Sequence, residues 1–207
     1  MRRFALIGFG AIAEEMLRSL ELRGDLPALA GVLVRAPRLA QAREQAAGRF
    51  AVVEGIEALL DLEPGVVIEC AGHGAVAEYG ARVLQRGADL LCASVGALAA
   101  PGLAAQLQGA AAPGVQILIP SGAVAGIDGL LAARTAGLSR VSYTSIKPPQ
   151  AWQGMPAERR EVFFEGSARE GVPHFPQNVN IAAVLSMAGI GFDRTRLKVV
   201  ADPALRF

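Results

Sequence analysis

The chain has few residues of the kinds that usually mark a special compartment or partner. Only two of its 207 residues are cysteines, two are histidines, and aromatic residues make up 5%. A disulfide framework is therefore not expected, because it needs more cysteines, and a structural zinc site is not expected, because these residues lack the spacing of zinc ligands. Basic and acidic residues number 20 and 19. With no basic stripe interleaved with aromatics, nucleic acid is not an expected partner.

Long apolar runs are also missing, although 52% of the residues are hydrophobic. No run approaches the length of a membrane span, so the sequence predicts no membrane partner. Cys70 and Cys92 lie in short apolar runs typical of strands. Both are expected to be reduced core thiols of a cytoplasmic protein.

One stretch near the N-terminus organises the rest. Phe4–Ile7 is an apolar run of the length of one buried parallel strand. Gly8 and Gly10 then form a turn, and apolar residues recur at helical spacing from Ala11. A strand, a glycine turn and a helix N-terminus predict a dinucleotide site, since glycines let the backbone approach a pyrophosphate and the helix attracts its charge. The alternative is a glycine turn that binds nothing.

The end of the second predicted strand bears on which dinucleotide binds. NAD-specific folds of this type usually place an acidic residue there for the ribose hydroxyls. This chain has Arg35, with Arg38 close by. Two arginines suit a 2′-phosphate, so the expected cofactor is NAD or NADP. The alternative is that both are solvated loop residues.

Strands and helices alternate regularly through about residue 120. This pattern predicts a Rossmann-type doubly wound parallel sheet over 1–120, with helices such as Ala75 to Arg86 and Leu98 to Leu107. Ligands of such sheets bind beyond the carboxyl ends of the strands. The residues expected to bind the cofactor there are Gly8, Gly10, Ala11, Ile12, Arg35, Cys70, Ala71 and Gly72.

The pattern changes over 121–207. Arg140 to Ile146 alternates polar and apolar residues, as a strand with one wet face does, and Asn180 to Ala188 is an apolar helix candidate. We expect an α+β domain for substrate binding or dimerisation, with a mainly antiparallel sheet.

Several motifs now line up along the whole chain. They include Glu69-Cys-Ala-Gly-His73, Pro120-Ser-Gly-Ala-Val-Ala-Gly126, Lys147-Pro-Pro-Gln-Ala-Trp152, Phe164-Glu-Gly-Ser-Ala-Arg169 and Phe175-Pro-Gln-Asn-Val-Asn180. In these motifs the sequence resembles the L-aspartate dehydrogenases. The resemblance implies a homodimer or homotetramer that oxidises L-aspartate to iminoaspartate with NAD or NADP, in NAD biosynthesis or aspartate catabolism. It also implies cofactor contacts at Ala123 and at Asn180, which fits the spacing better than Asn178.

The chain departs from the family pattern in one important place. The family's catalytic residue is a His a few residues after an Ala-Asp-Pro motif, here Ala201-Asp-Pro203. By that spacing the His falls just beyond Phe207. The second domain is therefore expected to be truncated at its C-terminus, and no catalytic residue is assigned.

Aspartate carries two carboxylates, so its site needs cationic or N–H-rich pockets. Lys147 and Arg169 are the candidate cations, although Arg169 could instead pair with Glu165 or Glu170. Ser121 and Asn178 complete the predicted substrate set, and no metal ligand is expected.

Two other functions stay open. The chain could be a related two-domain oxidoreductase, such as a homoserine dehydrogenase or a dihydrodipicolinate reductase. It could also be a non-catalytic NAD(P)-binding protein that lacks the catalytic His.

Overall fold

The computed structural model of the chain describes residues 2–152, 156–176 and 180–206. The chain divides into two compact units. Unit 1 comprises Met1–Ala97 and Gly102–Pro120, and unit 2 comprises Leu98–Pro101 and Ser121–Phe207. The short segment 98–101 thus belongs to unit 2, although the chain on both sides of it belongs to unit 1.

Unit 1 is built on a six-stranded parallel sheet. Its strands are β1 (Phe4–Ile7), β2 (Leu29–Leu33), β3 (Ala51–Val53), β4 (Val66–Glu69), β5 (Asp89–Cys92) and β6 (Ile117–Leu118). Their order in the sheet is β3-β2-β1-β4-β5-β6. This is the order of a Rossmann fold, in which the chain reverses direction across the sheet between β1 and β4. The predicted doubly wound parallel sheet is confirmed.

Five helices connect these strands. They are α1 (Ala11–Arg23), α2 (Leu39–Ala46), α3 (Ile56–Leu60), α4 (His73–Gln85) and α5 (Leu103–Ala110). Helix α1 ends at Gly24, whose left-handed conformation suits a residue without a Cβ. Leu6, Ala13, Leu17 and Val32 belong to a core cluster that packs the start of α1 and the strands together. This packing fixes where the helix begins relative to the end of β1.

Unit 2 has a three-stranded sheet of order β7-β9-β8, made of β7 (Val141–Lys147), β8 (Glu161–Ser167) and β9 (Thr195–Ala201). Strand β9 is parallel to β7 and antiparallel to β8. The sheet is thus mixed, whereas the alternating pattern had predicted a mainly antiparallel one. The described helices of this unit are α6 (Ile127–Thr135), α7 (Ala168–His174) and α8 (Asn180–Ala188).

Two local expectations differ from the structure. The helix predicted over Leu98 to Leu107 is a 3₁₀ turn at Val95–Ala99 followed by α5. Pro101 and Gly102 separate them, because proline lacks the N–H that a continuing helix would use and Gly102 is left-handed. The sequence analysis also missed α7, which contains Pro173.

Candidate functional site

The glycine turn after β1 has the geometry that its sequence predicts. Gly8 has a φ of +102°, and its N–H donates to the Leu33 carbonyl at 2.9 Å. A Cβ on Gly8 would lie 2.9 Å from the Cβ of Ala71, so only glycine fits between β1 and the loop after β4. Gly10 is the N-cap of α1 and provides no capping side chain. The first-turn N–H groups of α1 therefore face outward without a side-chain acceptor.

A cavity of about 420 Å³ opens at this turn. Its walls come from the ends of β1, β2 and β4 and from the first two turns of α4. The cavity thus lies at the carboxyl edge of the parallel sheet, where the strand order reverses and where such folds bind their ligands. Six of the predicted cofactor residues line it: Gly8, Gly10, Arg35, Cys70, Ala71 and Gly72. Ala11 and Ile12 begin α1 but do not line it.

The wall after β4 is held close to β1. The Cys70 N–H donates to the Ile7 carbonyl at 3.0 Å, and its thiol lies 3.4 Å from the same oxygen. Burial and the nearby Glu69 carboxylate raise the pKa of Cys70 to about 12, and they raise the pKa of Cys92 to about 12 as well. Both cysteines are free, and both stay protonated near neutral pH. Cys70 is thus a packing residue of the cavity wall, and Cys92 is a buried core residue outside the cavity lining.

The far end of the cavity carries charge. Arg35 and Arg38, which follow β2, both line it and are exposed. Glu78 and Tyr79 of α4 face them. Partial burial and the Glu78 carboxylate raise the pKa of Tyr79, and the Arg35 guanidinium opposes that rise. Among the residues that the structure describes, neither arginine forms an ion pair with an acidic side chain. The sequence analysis missed Glu78 and Tyr79, which have no motif of their own.

These features suit a dinucleotide. An uncapped helix N-terminus attracts a pyrophosphate, and no atom lies within 4 Å of where a Cβ of Gly10 would stand. Two exposed guanidinium groups at one end can bind a phosphate monoester or stack on a base. A nicotinamide cofactor bound here would accept a hydride from the substrate. Gly8, Gly10 and the α1 N-terminus would hold its phosphates, and Arg35 and Arg38 would hold its adenosine end.

In unit 2, Lys147 lies at the end of β7 beside a cluster of aromatic rings. Its ammonium is 5.3 Å from the centre of the Trp152 ring, a cation–π distance. Burial lowers the pKa of Lys147. Trp152 is itself buried, donates its indole N–H to the Val200 carbonyl at 3.1 Å, and packs edge-on against Phe175 at 5.6 Å. A cation fixed on a rigid aromatic surface is well placed to bind a carboxylate.

Arg169 pairs with neither of the two acids expected as its alternative partners. Its guanidinium makes a bidentate pair with Asp193, at 2.5 and 2.9 Å, and donates to the Ala99 carbonyl at 2.6 Å. The alternative pairing with Glu165 or Glu170 is wrong. Glu165 pairs with Lys198, and Glu170 closes a capping box with Ser167. Arg169 instead ties segment 98–101 to unit 2.

The other predicted residues of unit 2 occupy less defined positions. Ser121 and Ala123 are exposed in the turn before α6, and Asn180 begins α8. Asn178 lies outside the described residues. In the described part of the chain, no group of three or more His, Cys, Asp or Glu side chains could hold a metal ion. No helix described there is long and apolar enough to cross a membrane.

Comparisons with known proteins agree with these features. Residues 8–120 match the family model described as "Homoserine dehydrogenase, NAD binding domain", and residues 128–207 match "Aspartate dehydrogenase, C-terminal". The crystal structure of an aspartate dehydrogenase from Thermotoga maritima superposes with a TM-score of 0.78. It is 24% identical, with 99% of this chain and 80% of that chain covered. At that identity the likeness shows the fold.

Two relatives named L-aspartate dehydrogenase are more similar in sequence to this chain than the Thermotoga maritima protein is. The chain is 41% identical to the L-aspartate dehydrogenase of Polaromonas sp. over 99% of its own length and 80% of that protein. It is 44% identical to L-aspartate dehydrogenase 1 of Bordetella pertussis, with 97% and 77% covered. The match runs through both units, so it includes the glycine turn of unit 1 and the Lys147–Trp152 motif of unit 2. The chain belongs to the L-aspartate dehydrogenase family.

Proposed function

We propose that this chain oxidises L-aspartate to iminoaspartate, with NAD or NADP as the hydride acceptor. The observation that carries the proposal is the 41% identity to a protein named L-aspartate dehydrogenase over 99% of this chain. The cavity of unit 1 supports it, because its glycine turn and uncapped helix suit a dinucleotide. The imine would enter NAD biosynthesis or hydrolyse in aspartate catabolism.

In unit 1 the proposed cofactor-binding residues are Gly8, Gly10, Ala11, Ile12, Arg35, Cys70, Ala71 and Gly72. In unit 2 the family resemblance adds Ala123 and Asn180 as proposed cofactor contacts. Arg35 and Arg38 support NADP as well as NAD, since an exposed pair of guanidinium groups suits a 2′-phosphate. We also propose a cytoplasmic homo-oligomer, a homodimer or homotetramer.

For the substrate, Lys147 is the best supported ligand. Its ammonium is partly buried over the Trp152 ring, so an arriving carboxylate would be attracted more strongly than by a fully solvated lysine. Ser121 and Asn178 stay in the proposed substrate set. Arg169 stays in the set as the weaker candidate, because Asp193 and the Ala99 carbonyl already take three of its five N–H donors. The base that accepts the ammonium proton is unassigned.

The activity is tested by following NAD(P)H formation from L-aspartate, L-homoserine and L-glutamate in separate assays. Of these three substrates, only aspartate is expected to be oxidised. Tight cofactor binding without turnover of any of the three would instead identify a non-catalytic NAD(P)-binding protein. Turnover of homoserine in preference to aspartate would identify a different oxidoreductase.

The role of Lys147 is tested by Lys147→Met, with Lys198→Met as the matched control. The chain has only these two lysines, and Lys198 is half-exposed in an ion pair with Glu165 at 2.8 Å. A charge-assisted hydrogen bond is worth about 1.5–3 kcal/mol, so Lys147→Met should raise the KM for aspartate about tenfold or more. The KM for the cofactor should not change. Equal effects of the two variants would contradict the assignment.

A further inference from the structure

Glu69, the last residue of β4, is a fully buried carboxylate. Its exposed fraction is 0%, and no basic side chain pairs with it in the described part of the chain. A buried charge is costly unless hydrogen bonds replace the water it loses. Here the replacement consists of short bonds from backbone and hydroxyl groups. A charged residue maintained inside a strand at this cost calls for a reason beyond packing.

The carboxylate accepts four hydrogen bonds from two loops. Oε1 accepts the N–H groups of Ala71 and Gly72, both at 2.7 Å, and the Ser94 hydroxyl at 3.0 Å. Oε2 accepts the Ser94 N–H at 3.0 Å. One side chain thereby joins the loop between β4 and α4 to the loop after β5. Both loops lie at the carboxyl edge of the sheet, where the cavity opens.

The bonds to Ala71 and Gly72 define part of the cavity wall. Gly72 has φ +130° and ψ 173°, a conformation that almost only glycine adopts. Ala71 is the residue against which Gly8 packs without room for a Cβ. By fixing these two N–H groups, Glu69 sets the position of one cavity wall. It also sets the distance between that wall and the glycine turn on the opposite side.

The carboxylate also lies beside the start of helix α4. Its Oε1 accepts the N–H of Gly72, the N-cap of α4, and that of Ala71 before it, so its negative charge lies near the positive end of that helix. Helix α1 begins at the same sheet edge, after the neighbouring strand β1. Neither N-cap, Gly10 or Gly72, is capped by a side chain, but the Glu69 carboxylate lies beside the start of α4 and not of α1.

We propose that Glu69 is a positioning residue for the cofactor. It holds the Ala71–Gly72 wall in place opposite the glycine turn, and its charge beside the start of α4 makes the start of α1 the more favourable place for the pyrophosphate. The inference rests on the cofactor site proposed above. It assigns no contact between Glu69 and the cofactor, because Glu69 does not line the cavity.

The test is Glu69→Gln, which keeps the size of the side chain but replaces one acceptor oxygen by an NH₂ group. The dissociation constant of NADH, measured by fluorescence titration, should rise about tenfold. Amide resonances of Ala71, Gly72 and Ser94 in a ¹⁵N spectrum should move upfield and exchange faster with solvent, as expected when a bond to a carboxylate is lost.

Asp89→Asn is the matched control. Asp89 is also a buried carboxylate, 5% exposed, but it lies at the amino end of β5, where it accepts from Arg2 and from the Gln116 N–H, both at 2.8 Å. Both variants should lower the melting temperature. Only Glu69→Gln should weaken NADH binding, while Asp89→Asn should stay within about twofold of the unmodified chain. Equal weakening by the two variants, or unchanged binding by Glu69→Gln, overturns the proposal.

Two more variants keep the result interpretable. Should Glu69→Gln fail to fold, Ser94→Ala removes one donor to Glu69 and should weaken NADH binding about threefold; no change would overturn the proposal. Gly8→Val tests the site itself, since any Cβ there collides with Ala71. If Gly8→Val leaves NADH binding intact, the proposed cofactor site is wrong. If Gly8→Val abolishes binding and Glu69→Gln does not alter it, only the positioning role fails.

Discussion

Replacing Arg35 and Arg38 by alanine should convert the cavity into an NAD-selective one. The two guanidinium groups line its far end, and neither is paired with an acidic side chain in the part of the chain that the structure describes. A 2′-phosphate would therefore find two cations with their donors available. NAD has hydroxyl groups at that position, which gain far less from a nearby cation.

The size of the effect follows from the exposure of the two side chains. A hydrogen bond to a charged group is worth about 1.5–3 kcal/mol, and exposed groups in salt fall at the lower end. Taking about 1.5 kcal/mol for each arginine, the double variant should lose about 3 kcal/mol for NADP. That corresponds to roughly a hundredfold weaker binding. Each single variant should lose about tenfold, and NAD should change by less than about threefold.

The assay is fluorescence titration with NADPH and NADH at two ionic strengths. Arg43→Ala is the control, since Arg43 is exposed on α2 one helix turn beyond Arg38 and does not line the cavity. It removes the same charge from α2, the helix that follows Arg38. Loss of NADPH affinity should be confined to the cavity variants and should shrink at high salt. Equal losses for NADPH and NADH, or an equal loss in Arg43→Ala, would refute a 2′-phosphate site.

Two predictions concern unit 2. Ser167→Ala removes the hydroxyl that caps α7 and should cost about 1 kcal/mol of unfolding free energy at pH 7, read from urea denaturation. The hydrogen bonds from Ser167 lower the pKa of Glu170. The stabilisation that they give is therefore complete above pH 4.5, the ordinary pKa of this group, and is lost as the pH falls through the lowered pKa. If Ser167→Ala cost as much unfolding free energy at pH 3 as at pH 7, this reasoning would be contradicted. Gly189→Ala places a Cβ 2.7 Å from the Leu185 carbonyl oxygen, so it should lower the free energy of unfolding by about 1–3 kcal/mol in the same urea experiment. Gly109→Ala is the control, because a Cβ there meets no atom within 4 Å, and it should not lower this free energy.

The parallel sheet was predictable because its signals are local. A short apolar run followed by Gly8 and Gly10 leaves few structures possible. Helix α1 begins at Ala11, as predicted, and glycines stand at both of its ends. The site at the carboxyl edge then follows from topology alone. Parallel strands joined by right-handed crossovers bring their ends together wherever they lie in the sequence.

Other features depended on contacts that no local pattern shows. Helix α7 contains Pro173, which argued against a helix, although Ser167 and Glu170 have the spacing of a capping box and could have revealed it. The pairing of Arg169 with Asp193, 24 residues away, has no sequence signal. For Glu69 the sequence did carry a signal, which was overlooked: a single charged residue in an apolar strand must be buried with polar partners.

The two candidate cations of unit 2 show why substrate ligands are harder to predict than cofactor ligands. Lys147 and Arg169 both follow strands and both carry a charge that suits a carboxylate. What separates them is the surroundings: Arg169 is neutralised by Asp193, while Lys147 lies on Trp152 and its pKa is lowered by burial. A cation in a bidentate pair gains less from a second anion than a partly buried cation on an aromatic ring does. Which of the two can receive a substrate carboxylate therefore depends on surroundings that tertiary contacts create and that no local sequence pattern shows.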